Sequence, residues 1–110
     1  MICDFADVVV VPFPFVDIPI SKRRPALVLS NEAFNAENDQ SILAMITTGV
    51  GSQWPSDLPI TDIATAGIAH RSVVRWKVFT LPNASILKRL GSLGAKDRAS
   101  VKRAARRILA

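Results

Sequence analysis

The chain has 110 residues, 49% of them hydrophobic, 21% charged and 6% aromatic. That is one domain's worth of sequence, able to bury roughly two thirds of its unfolded surface, and it is too apolar for disorder. No apolar run approaches the roughly 18 to 20 residues of a membrane span, acids rather than bases precede the first apolar stretch as against a secretory signal, and one cysteine (Cys3) beside one histidine (His70) rules out an internal disulfide and a protein zinc site. The expectation is a single soluble, cytoplasmic domain over residues 1–110 that carries no cofactor.

The net charge of +5 conceals a strong polarity. Residues 1–70 hold three bases against eight acids, whereas residues 71–110 hold eleven bases against Asp97 alone. A basic half points to an anionic partner, either nucleic acid or an acidic protein segment.

In chain order, residues 7–15 (DVVVVPFPF) begin as a β-branched strand. Pro12 and Pro14 lack backbone donors, so its end must meet an edge, a bulge or a bend. Residues 16–24 (VDIPISKRR) read as a polar loop with a basic cluster. Residues 25–30 (PALVLS) read as a second strand with Pro25 in first position, and such close apolar runs suit strands buried on both sides. Residues 31–40 form a polar connection with room for one helical turn, and residues 41–48 (SILAMITT) form a third strand. A turn-rich loop carrying Gly49, Gly51 and Trp54-Pro55 leads to a short edge strand at 57–60. Within residues 68–80, Val74, Trp76 and Val78 alternate with Arg75, Lys77 and Phe79, which is strand periodicity with bases on one face. Residues 81–85 turn, and 86–93 read as a strand or a helical turn. From Lys96 to Leu109 the stripe Val101, Ala105, Ile108, Leu109 predicts a helix packed on the sheet, and its C-terminal bases complement the helix dipole. The sum is mainly β, a small antiparallel barrel of five or six strands followed by one helix.

The sequence has no phosphate loop, no paired-carboxylate motif and no metal cluster. A single histidine argues against a His-dependent nucleophilic triad, and His70 reads as a surface or strand-end residue. What remains is a set of arginines and hydroxyls: Arg23, Arg24, Arg71, Arg75, Thr47, Thr48 and Ser52. That set suits phosphate handling, because a guanidinium fork holds two phosphate oxygens at once.

The stretch from Asp7 to Ser30, DVVVVPFPFVDIPISKRRPALVLS, resembles the N-terminal signature of the PemK/MazF family of toxin endoribonucleases from type II toxin–antitoxin systems: an Asp and an apolar strand, a basic loop, then Arg-Pro and a second apolar strand. The similarity continues through ILAMITT at 42–48, SVVRWKVFTL at 72–81 and the terminal helix. The resemblance implies an SH3-like barrel with a C-terminal helix, a homodimer, and a partner antitoxin that neutralises the toxin. It implies cleavage of single-stranded RNA without a metal, by 2′-hydroxyl attack on the adjacent phosphate, leaving a cyclic phosphate and a 5′-hydroxyl. Carried over, Arg24 before Pro25 matches the catalytic arginine, and Thr47, or the adjacent Thr48, matches a strand-end threonine that bonds a phosphate oxygen. Arg75 falls where some members use a base on RNA, and Arg23 and Lys77 join it as RNA-binding positions. Some members place an aspartate general base where this chain has Lys77, so no carboxylate is assigned as base. The same fold also serves toxins that poison DNA gyrase by binding alone, and fold does not separate the two activities.

Overall fold

A run of valines builds the centre of the molecule. The computed structural model describes residues 1–13 and 22–110. Its strands are β1 (Asp7–Phe13), β2 (Lys22–Val28), β3 (Gln40–Thr47), β4 (Leu58–Pro59), β5 (Val73–Pro82) and β6 (Lys88–Ser92), and its helices are α1 (Glu32–Asn38), α2 (Ile63–Ala66) and α3 (Ala95–Leu109). The six strands pair antiparallel in the order β4-β5-β3-β2-β1-β6 and curl into a half-barrel.

The sheet is buried on both faces, as the close apolar runs predict. Val8, Leu27, Ala44, Ile46, Val74 and Trp76 face one core, closed by Leu93, Val101 and Ala104. Val9, Val11, Ala26, Val28, Leu43 and Leu81 face the other, closed by Ile86 and Cys3. Burial, with Asp7 as the next cause, pushes the Cys3 thiol pKa up, which keeps it in the protonated form. Beside this second core lies a buried polar network. The Asn35 amide donates to the Cys3 carbonyl at 2.9 Å, the Asn83 amide donates to the Asn35 carbonyl at 2.8 Å, and the Ser41 hydroxyl donates to Asn83 Oδ1 at 2.6 Å. These bonds satisfy polar groups that would each cost stability if buried alone.

Several boundaries differ from expectation. Lys22, Arg23 and Arg24 belong to β2 rather than to the preceding loop, because they pair with Phe13, Pro12 and Val11 across the β1–β2 hairpin. Pro25 therefore sits inside the strand. It has no N–H to give, and the β2–β3 ladder begins only at Ala26↔Met45. Pro12 lies beyond the stretch of β1 that pairs with β6, which ends at Val10, so its missing donor falls where β1 is an edge. The reading of Pro14 and of the loop through Ser21 falls outside the described residues. The connection after β2 holds two helical turns, opened by Asn31, whose side chain accepts from Phe34 N.

Helix α2 was not anticipated. Asp62 caps it by accepting from the Thr65 amide at 3.1 Å and hydroxyl at 2.6 Å, which also lowers the Asp62 pKa, and Gly67 ends it at φ 76°. In α3 the buried stripe is Asp97, Val101 and Ala104, whereas Ile108 and Leu109 are exposed. Asp97 is buried because it accepts three bonds, from Thr61 N, Thr61 Oγ1 and Asp62 N at 2.8–3.1 Å, which tie α3 to the turn leading into α2. In β5 the alternation holds at Val74 and Trp76 and then breaks: two extra residues shift the register between Val78↔Ala44 and Arg75↔Met45, Val78 is left exposed, and Phe79 packs on the second core.

Candidate functional site

Past Ala26↔Met45, where the β2–β3 ladder stops, lies a cleft of about 710 Å³. Its floor is apolar: Val10 from β1, Pro25 from β2, Ile46 from β3, Ile68, and Leu90 from β6. Four basic side chains, Arg23, Arg24, His70 and Lys88, and three hydroxyls, Thr47, Thr48 and Ser72, surround it. Among the described residues that line it there is no carboxylate. An apolar floor under convergent donors suits an anionic ligand with flat apolar parts.

Arg24 and Thr47 both line this cleft. Arg24 lies two residues before Ala26 and Thr47 two residues after Met45, the pair at which the β2–β3 ladder ends. By strand alternation Arg24 shares a side with Val11 and Phe13, and its guanidinium lies over the Phe13 ring at 5.6 Å. Arg23 alternates to the side of Val10 and Pro25, so the two arginines straddle the rim. Both are exposed, and among the described residues neither enters an ion pair or a hydrogen bond through its side chain. Thr47 Oγ1 accepts from Gly49 N at 3.3 Å, which leaves its O–H proton free to donate outward. Thr48, one residue beyond β3, is exposed and lines both this cleft and a second recess.

The opposite wall comes from a close backbone approach. A Cβ at Gly91 would stand 2.4 Å from Thr65 O, and one at Gly67 would stand 2.3 Å from Leu90 O, so only glycine lets α2 lie directly on β6. That contact places the segment 67–72 over the cleft. Its course is fixed at the far end by Ser72, whose hydroxyl donates to the His70 carbonyl at 2.9 Å and whose own carbonyl accepts from Ile60 N at 3.0 Å. His70, Ser72 and Lys88 are therefore cleft residues that the sequence reading did not single out.

Arg75 has a different setting. Its Nε and Nη2 hold Asp57 at 3.1 and 2.8 Å, Nη2 also reaches Ser52 O at 3.0 Å, and Nη1 reaches Ser52 Oγ at 3.2 Å. Four of the guanidinium's five N–H groups are thus taken. The Trp54 ring stacks on it at 5.4 Å. Arg75 lowers the Asp57 carboxyl pKa, and Asp57 raises that of the guanidinium. Arg75 thereby pins the β3–β4 loop, whose residues Gln53, Trp54 and Asp57 line a second recess of about 280 Å³ with Thr48, Gly49, Pro59 and Val73. Lys77 is exposed and stands outside the residues lining either cavity.

The family described as PemK-like, MazF-like toxins of type II toxin–antitoxin systems matches residues 4–109. Among solved structures, a MazE–MazF complex from Deinococcus radiodurans superposes with a TM-score of 0.77 at 21% identity, covering 99% of this chain and 97% of that one. An endoribonuclease in complex with its cognate antitoxin from Mycobacterial species gives 0.74 at 16% identity, covering 98% and 93%. The Mycobacterium tuberculosis toxin MazF-mt6 gives 0.68 at 23% identity, covering 89% and 90%. No curated protein matches the sequence. Among the described residues no helix is long and apolar enough to cross a membrane.

Proposed function

The chain belongs to the PemK-like, MazF-like toxins of type II toxin–antitoxin systems, and from that premise we propose that it is an endoribonuclease that cuts single-stranded RNA at the cleft between β2 and β3. The observation that carries this reading is that Arg24 and Thr47 line one basic, hydroxyl-bearing cleft. RNA supplies its own nucleophile. As the 2′-oxygen bonds to phosphorus and the bond to the 5′-oxygen breaks, charge builds on the non-bridging oxygens. Arg24, held over the Phe13 ring and without a hydrogen-bond or ion-pair partner among the described residues, is a preorganised donor for that charge. The Thr47 O–H donates to a phosphate oxygen, and Arg23 and Lys88 hold neighbouring phosphates. The donors are guanidinium, ammonium and hydroxyl groups, which act on the phosphate directly, so the reading requires no metal. The test is cleavage of a labelled RNA in EDTA, with a 2′-deoxy residue at the cut site as control. Cutting that persists in EDTA and stops at the deoxy site is the expected result, with a cyclic phosphate and a 5′-hydroxyl as products. Cutting of the deoxy substrate would overturn the mechanism.

The same reading includes an antitoxin that binds over this face. An acidic segment laid across Arg23, Arg24 and Lys88 would exclude RNA by occupancy and by repulsion. It also takes a homodimer as the working form, supported by apolar side chains left exposed at Leu87, Ile108 and Leu109. Light scattering at micromolar concentration reads the dimer, and competition between RNA and antitoxin reads the shared surface.

A further inference from the structure

The proposed reaction needs a group that takes the 2′-hydroxyl proton, and the lining of the cleft offers few. Among the described residues it contains no aspartate or glutamate. Arg23, Arg24 and Lys88 bring guanidinium and ammonium groups, which are hydrogen-bond donors with no acceptor site. Lys77, which stands where some relatives have an acid, is not at the cleft. His70 is. It is the chain's single histidine, and it lines the cleft together with Arg24 and Thr47.

We propose that His70, which lines the same cleft as Arg24 and Thr47, is the general base of RNA cleavage. The proposal rests on the ribonuclease reading above. Imidazole is the side chain whose charge changes between pH 5 and 8, and in its neutral form it accepts a proton through one ring nitrogen. The residue is exposed enough to meet a substrate, yet its backbone is held at both ends. Gly67 lets the segment sit on β6, and the Ser72 hydroxyl holds the His70 carbonyl. The charged groups that line the cleft with it are Arg23 and Arg24 from β2 and Lys88 from β6, and Arg71 follows it in the chain. The polar side chains that the end of β3 brings to the cleft are the hydroxyls of Thr47 and, one residue beyond the strand, Thr48. In the step itself, neutral His70 takes the 2′-hydroxyl proton as the 2′-oxygen bonds to phosphorus. The bond to the 5′-oxygen breaks with its electron pair on that oxygen, which takes a proton from water. The imidazolium then returns its proton to water, so the proton count closes and the base is restored.

A lone histidine makes the test direct, provided the chain carries no histidine tag. The rate of wild-type cleavage is measured from pH 5 to 8 beside His70→Ala and His70→Gln. In parallel, the imidazole proton resonances of the wild-type protein are followed as a 2′-O-methyl RNA, which binds without being cut, is added. The expected results are a loss of about 10²- to 10⁴-fold in rate at pH 7 for both variants, loss of the rise in rate with pH, partial recovery of His70→Ala by free imidazole, and a shift of the His70 resonances on RNA addition. Cleavage by His70→Ala within a few-fold of wild type overturns the assignment and leaves the ribonuclease reading standing. RNA that binds without moving the His70 resonances does the same, and needs no variant to fold. A wild-type protein that neither binds nor cuts RNA overturns both.

Discussion

Arg24 and Arg75 are both strand arginines on the concave sheet, and either would be chosen from sequence as a phosphate contact. Their surroundings separate them. Arg75 spends four of its N–H groups on Asp57 and Ser52 and has Trp54 stacked on it, so its binding capacity is used inside the molecule. Among the described residues Arg24 has only the Phe13 ring beneath it, and it is exposed and lines the cleft. A charge is available to a ligand when its hydrogen bonds are not already made. Arg75 holds a loop in place, whereas Arg24 keeps its donors for a ligand.

The largest way to break this comparison is substitution. Arg24→Ala is expected to slow RNA cleavage by about 10²- to 10³-fold, the cost of one preorganised donor at the transition state, with the melting temperature unchanged. Arg75→Ala is expected to lower the melting temperature and to speed amide exchange in residues 50–57, with a smaller loss of rate. The reverse pattern in a paired rate and melting measurement would exchange the two roles. Thr47→Val preserves shape and removes one donor, which predicts a loss of roughly tenfold. Thr48→Val is the partner experiment, and if it alone is impaired the phosphate contact belongs to Thr48.

Salt sharpens the same contrast. Titration of binding to a non-cleavable RNA should show a log–log slope reduced by about 0.7 for Arg24→Ala, the signature of one lost phosphate contact on a single strand. Arg75→Ala should leave the slope as it is. The smallest effect is on pH. The Asp57 carboxyl pKa is lowered in the folded protein, chiefly by its hydrogen bond to Arg75. Its contribution is therefore fully present above the ordinary aspartate range and is lost as pH falls through the lowered folded value. Fluorescence of Trp54, stacked on Arg75, should report the loop loosening in that acid window, and Asp57→Asn should show the loosened signal already at neutral pH.

Much of the fold was legible because local pattern and tertiary burial agree. The valine run of β1 and the PALV segment of β2 are apolar at consecutive positions, and both are buried on two sides. The end of α3 departs from the predicted stripe because Ile108 and Leu109 are left exposed, while Asp97 is drawn inward by amides from a distant turn. Helix α2 had a readable signal in Asp62, Thr65 and Gly67, a capping acid and a terminating glycine around four residues. Its shortness hid it, since four residues show no amphipathic period. At the site, Arg24 and Thr47 were legible through their motif. The far wall was not, because it depends on Gly67 meeting β6 and Gly91 meeting α2, contacts between residues more than twenty positions apart that carry no local mark. The Arg75–Asp57 clamp is hidden for the same reason.

The central claim is that RNA lies in the cleft against Arg24 and Thr47 rather than along Arg75. The most direct measurement is a ¹⁵N–¹H spectrum that resolves arginine side-chain Nε–H groups and backbone amides while a 2′-O-methyl RNA is added. The account predicts large shifts for the Arg24 Nε–H and for the amides of Thr47, Thr48 and Lys88, with the Arg75 Nε–H, bonded to Asp57, left in place. Shifts centred on Arg75 and Lys77, with Arg24 unmoved at saturation, would contradict it.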